Sequence, residues 1–389
     1  MKVNIHILFS LVILIMIIPH VNLYSQHGDE KDVKARDLWE RIAPYFSPPA
    51  EYKNEYGAYP SPLTFYDGKS VQNRDDWERR RQEILDKWHE IMGEWPPLLK
   101  NPKFEIIDTS RRDNFVQHRI RFNWVPDQTT DGYLLIPDDH GQKPAVVTVY
   151  YEPETAVGLS ESANRDFAYQ LARRGFVTLS IGTSEATEAE TYSIYYPDIH
   201  NAEVEPLSIL AYAAANAWYL LADWPEVDSE RIGIVGHSFG GKWAMFASAL
   251  FENYAAAVWS DPGIVFDNSA SNINYWEPWY LGYHPPPWRE RGLITEDNPA
   301  RGAYPKLLDE GHDLTELHAL MAPRRFLVSG GSVDPESRWV PLNHTIAVNR
   351  LLGMENRVAM TNRPEHSPNA ESNEQIYWFF EYFLKYEGR

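Results

Sequence analysis

There is no cysteine in the 389 residues of this chain. That absence excludes disulfides, thiolate metal sites, a cysteine nucleophile and a lipidated N-terminal cysteine. Positive charge is also scarce: 36 Lys and Arg stand against 55 Asp and Glu, a formal charge of −19. Such a surface repels phosphate backbones, so nucleic acid is excluded as a partner. Long apolar runs are confined to the first residues, and no repeat or low-complexity segment occurs. What the chain does have is a hydrophobic fraction of 43% and a surplus of aromatics, with 14 Trp and 23 Tyr. That composition supports a packed core and rules out disorder as the main state.

Lys2 precedes an apolar run from Ile5 to Pro19 that is broken only by His6 and Ser10. A membrane span needs about 20 apolar residues, so this run is short for one. A basic start, a short apolar centre and a small residue at the exit predict a secretory signal over residues 1–26, cut near Ser25 or Gln26. The product would be periplasmic or secreted, with no membrane span after cleavage. The rival, an uncleaved anchor, lacks a basic stop-transfer flank.

Residues 27–100 predict a helical N-terminal extension packed on the core. One helix stands out, Arg74 to Gly93, with Trp77, Ile84, Leu85, Trp88 and Ile91 at spacings of three and four. The pattern then changes. Phe104–Ile107, Phe115–Trp124 and Gly132–Ile136 alternate like a strand meander. Continuous apolar runs follow at 144–151, 176–181, 231–235, 255–259, 325–329 and 357–361, the pattern of strands buried on both faces. Helical segments fall between them, around Phe167–Ala172, at Leu207–Leu221 after a long Tyr-rich loop, and at Lys242–Leu250. The predicted class is α/β, a mostly parallel, doubly wound sheet with helices on both faces, over residues 101–389. An aromatic-rich insertion, about 264–314, precedes the penultimate strand. Its length suits a lid or pocket wall.

Gly236-His237-Ser238-Phe239-Gly240-Gly241 lies between the strand 231–235 and the helix after it. G-x-S-x-G in strand–turn–helix context holds a serine hydroxyl above a sheet at a helix N-terminus, where developing negative charge is favoured. A serine nucleophile needs a base, and His366, just past the last strand and before the helix Asn373–Leu384, is the one of 13 histidines in the right place. Two residues compete to be the acid that orients it. Asp334 follows strand 325–329 and is slightly preferred; Asp261 follows strand 255–259 and is a close second. Oxyanion donors would be the amide of Phe239 and a group in the loop at Tyr151. Trp276 and Trp279 of the insertion, with Lys242, are candidate substrate contacts, because flat rings stack on sugars. Packing accounts for more than half of the insertion's rings.

These residues resemble the α/β-hydrolase superfamily from position 104 onward. Within it, GHSFGGKWA (236–244), DLTELHALMAPR (313–324), FLVSGGSVD (326–334) and NRLLG (349–353) resemble the glucuronoyl esterase and acetylxylan-esterase-like carbohydrate esterases. The resemblance implies a serine esterase acting on acetyl or uronoyl esters of a polysaccharide or oligosaccharide, with no metal or other cofactor. In glucuronoyl esterases a glutamate near the Asp261 position commonly serves as the acid, and an arginine typically follows the nucleophile where Phe239 stands here. Two other classes are compatible with this elbow and its aromatic insertion: a serine peptidase of the prolyl oligopeptidase type, and a non-catalytic carbohydrate-binding homologue.

Overall fold

The structure, a computed structural model, describes residues 23–183 and 193–387. The expected signal therefore lies almost wholly outside the described residues, as does part of the Tyr-rich loop. The N-terminal extension holds a helix that the sequence pattern did not announce, Leu23–Ile42, which runs through the expected cleavage positions. The predicted second helix is Arg74–Met92, and Asn73 caps it by accepting from the Asp76 amide at 2.9 Å. Arg80 of this helix is buried and ties the extension to the core through Glu316 at 2.8 Å. Among the described residues no helix is long and apolar enough to cross a membrane.

Nine described strands form one sheet: β1 (Phe104–Arg112), β2 (Phe115–Val125), β3 (Gln128–Pro137), β4 (Lys143–Tyr150), β5 (Val177–Gly182), β6 (Val227–His237), β7 (Ala256–Ser260), β8 (Arg325–Gly330) and β9 (Val358–Asn362). Their order is β1-β2-β3-β5-β4-β6-β7-β8-β9. The β1–β3 meander is antiparallel and joins β5 antiparallel; every pairing from β5 to β9 is parallel.

Alternation along β4 shows why both faces need helices. Ala145, Val147 and Val149 enter one apolar layer, with the helices Arg74–Met92, Pro206–Ala222 and Phe239–Leu250. Val146 and Tyr150 enter the other, with Phe167–Arg173 and Ala370–Glu381. The chain reverses its direction of winding at β4, whose neighbours are β5 and β6. In such sheets the carboxyl ends of the strands at the reversal form the ligand crevice, and β6 ends there on His237, directly before Ser238.

Candidate active site

Ser238 sits between β6 and the helix Phe239–Leu250 with φ 57° and ψ −113°, a left-handed conformation that is costly for a residue with a side chain. Two glycines permit the turn. A Cβ on Gly236 would lie 2.1 Å from the Gly240 carbonyl oxygen, and one on Gly240 would lie 2.0 Å from that of Val149. The Ser238 amide donates to the Ser260 carbonyl at 2.8 Å, which ties the turn to β7. Phe239 is the first residue of the helix, where amides have no intrahelical acceptor, and so its N–H is available beside the serine.

His366 reaches the serine from the loop after β9. Its Nε2 lies 2.9 Å from Ser238 Oγ, and its Nδ1 lies 2.7 Å from Asp261 Oδ2. Arg363 pins this loop: its Nη2 donates to the His366 carbonyl at 2.6 Å and its Nη1 to the Ser329 carbonyl at 2.8 Å. A capping box then starts the helix Ala370–Glu381, Asn369 accepting from the Ser372 amide at 2.9 Å and the Asn369 amide donating to Ser372 Oγ at 3.0 Å.

The preference for Asp334 as the histidine's partner is corrected by this geometry. Asp334 is buried, and its two carboxylate oxygens accept from the Gly263 and Ile264 amides, each at 2.7 Å. Burial and the neighbouring Asp261 push its pKa up. Asp261 has φ 50°, a left-handed conformation that aspartate tolerates better than most residues. Beyond the histidine, its carboxylate accepts from the amides of Asp334 at 2.8 Å and Val333 at 3.3 Å. The two acids thus form a cross-brace, in which Asp334 braces the loop that carries Asp261.

The expected substrate contacts fare differently. Trp276 is fully buried, its indole N–H donating to the Gly292 carbonyl at 2.8 Å, so the ring packs the insertion and meets no cleft. Trp279 is 7% exposed, lies against Tyr280 and Trp288, and carries the Arg291 guanidinium over its ring at 5.7 Å. Lys242 is also buried. Its ammonium donates to the Pro262 carbonyl and lies 4.7 Å from the centre of the Tyr275 ring. Burial pushes its pKa down to about 8, against the opposing pull of Asp334 and Asp261. Lys242 thus meets a backbone carbonyl and an aromatic ring under the loop that carries Asp261. Tyr151 is half-buried and stacks on Phe239 with ring centres 4.3 Å apart, so the loop after β4 and the elbow meet where the oxyanion donors were expected.

Sequence reasoning missed Arg363 and His237. Arg363 stands three residues before His366, but nothing in a single basic residue says that it grips the carbonyls of Ser329, Gly330, His366 and Ser367. Among the described residues no group of His, Asp and Glu is arranged to hold a metal ion.

The sheet order, the strained serine and the Ser–His–Asp contacts define a hydrolase of the α/β-hydrolase class. Residues 130–272 match the Dienelactone hydrolase family, a segment that contains Ser238 and Asp261 and ends before His366. No curated protein matches the chain in sequence. Among solved structures, a glucuronoyl esterase from Solibacter usitatus is 18% identical, covering 83% of this chain and 97% of its own at a TM-score of 0.63. A carbohydrate esterase family 15 glucuronoyl esterase from Caldicellulosiruptor kristjansonii is 21% identical, covering 88% and 94% at 0.60. A Bacteroides fragilis protein described as an acetyl xylan esterase is 12% identical, covering 96% and 92% at 0.53. At these identities the likeness is one of fold.

Proposed function

We propose that this protein is a serine esterase that removes acetyl or uronoyl esters from polysaccharide through an acyl-enzyme. The observation that carries the reading is His366, 2.9 Å from Ser238 Oγ on one side and 2.7 Å from Asp261 on the other. Ser238 Oγ attacks the ester carbonyl as His366 Nε2 takes its proton, and Asp261 stabilises the imidazolium through Nδ1–H. The tetrahedral oxyanion forms beside the Phe239 amide at the positive end of its helix, with a second donor from the loop at Tyr151. His366 then gives its proton to the departing oxygen, that of the sugar hydroxyl in an acetyl ester or of the esterifying alcohol in a uronoyl ester, and water repeats the sequence to free Ser238.

The Dienelactone hydrolase match and the esterase neighbours support ester hydrolysis over peptidase action. One neighbour, a glucuronoyl esterase from Sporotrichum thermophile, was solved with methyl 4-O-methyl-β-D-glucopyranuronate. The described extension is built on two long helices and has no propeller, which separates it from the prolyl oligopeptidase type. Assembled Ser–His–Asp contacts argue against a non-catalytic homologue. Export through a cleaved signal belongs to the same proposal and is supported by the apolar run Ile5–Pro19.

Hydrolysis of p-nitrophenyl acetate and of a methyl glucuronate ester tests the proposal. Ser238→Ala is expected to lower kcat by at least about 10⁴-fold. Preference for the acetate would assign acetyl esters; preference for the glucuronate would show that Phe239 is compatible with uronoyl esters. A folded protein inert on both would refute the reading for these ester classes.

A further inference from the structure

His237, the residue before the nucleophile, has no place in the steps above, yet it is buried against them. Its ring lies on that of His366 with centres 4.7 Å apart and planes inclined by 40°. Its Nδ1 is 3.1 Å from the Ser260 carbonyl oxygen and 3.1 Å from Ser260 Oγ. A carbonyl can only accept, so Nδ1 carries the proton and the imidazole tautomer is fixed. The same Ser260 carbonyl accepts the Ser238 amide. Nε2 of His237 is then a bare acceptor, buried and without a hydrogen-bond partner.

We propose that His237 is a positioning residue for the reaction: a neutral, buried imidazole that holds the His366 ring in line with Ser238 Oγ, keeps water off its face, and fixes the carbonyl to which the serine amide is tied. The inference rests on the serine-esterase reading. Its physical basis is the set of charges around the pair. Asp261 faces His366 from the loop after β7, Arg363 holds the His366 loop itself, and Arg165 approaches from the loop before the helix Phe167–Arg173. A proton on His237 would be a buried cation facing His366 and both arginines. Burial first, then those three neighbours, holds its pKa well below the usual imidazole range. The ring therefore stays neutral while His366 cycles through its charged form, and the only cation the pair has to accommodate is the one Asp261 neutralises.

Two variants separate this role from mere packing. His237→Ala removes both the ring and the Nδ1–H donor; His237→Phe keeps a ring against His366 and loses only the donor. On p-nitrophenyl acetate, His237→Ala is expected to lower kcat about 10- to 100-fold with KM changed less than about twofold, as misplacement of a catalytic group does. Water admitted to the His366 face favours its charged form, so the acid limb of the kcat/KM profile should move to higher pH. His237→Phe should lose less of kcat and keep the wild-type acid limb. Thermal unfolding confirms that each variant is folded. A wild-type kcat in folded His237→Ala, an unmoved acid limb there, or an equal displacement in His237→Phe overturns the inference. If His237→Ala does not fold, His237→Phe decides: reduced kcat with an unmoved limb supports it, while full kcat or a displaced limb overturns it. Turnover that persists in Ser238→Ala sinks the esterase reading itself; Ser238-dependent turnover with unaltered profiles in the His237 variants sinks this inference alone.

Discussion

The loops after β7 and β8 each deliver a buried aspartate to the same corner of the molecule, and the two carboxylates do different work. Asp261 gives one oxygen to His366; Asp334 spends both on the amides of Gly263 and Ile264. Two acids equally placed along the chain are therefore told apart by their hydrogen bonds. A carboxylate saturated by backbone donors fixes a loop, and the one whose oxygen meets an imidazole can support a charge that appears and disappears.

The largest expected effect follows directly. Asp261→Asn should lower kcat by about 10³- to 10⁴-fold with the fold intact, because an amide cannot compensate the imidazolium. Asp334→Asn should instead cost about 1–3 kcal/mol of stability by leaving a buried amide donor poorly paired, with kcat down by less than about tenfold. Esterase assays and denaturant unfolding of the two variants read both quantities; the reverse pattern would return Asp334 to the triad.

A second contrast sets the elbow against the aromatic insertion. Trp276→Ala, which empties a fully buried site, is expected to cost about 3–5 kcal/mol of stability without a selective rise in KM. Unfolding measurements at matched conditions check this, and a raised KM in a variant of unchanged stability would put Trp276 in the substrate cleft.

The smallest effect concerns Glu205, which anchors the insertion by accepting from the Ala303 amide at 2.8 Å and the Tyr283 amide at 3.1 Å. Burial raises its carboxyl from 4.5 to about 8. A folded pKa above the unfolded one means that the fold holds the neutral acid. Its contribution is complete below about 4.5 and is lost as the pH climbs through about 8. Glu205→Gln should flatten the fall of Tm over that window, and a wild-type slope in the variant would show that Glu205 does not set it.

Much of the fold was legible because burial on two faces leaves its mark on consecutive residues. All nine strand runs read from the sequence are strands of the sheet, and 231–235 leads into the serine turn as the Gly-rich motif required. The helix Leu23–Ile42 was not, since its residues are mostly charged or polar and its stability comes from contacts such as Trp39 against Phe46 and Tyr382 rather than from a regular apolar stripe. Trp276 read equally well as a sugar platform or a packing ring, because composition does not record which way a side chain faces.

The sequence by itself determined the class of sheet, the strained turn at Ser238 and the place of His366, each of which depends on residues adjacent in the chain. Only the tertiary structure decided between Asp261 and Asp334, buried Lys242 against the Pro262 carbonyl, and brought His237 and Arg363 to the histidine. Those choices depend on distances between groups on separate strands, such as the 105 positions between Asp261 and His366, and no local pattern of residue types encodes them.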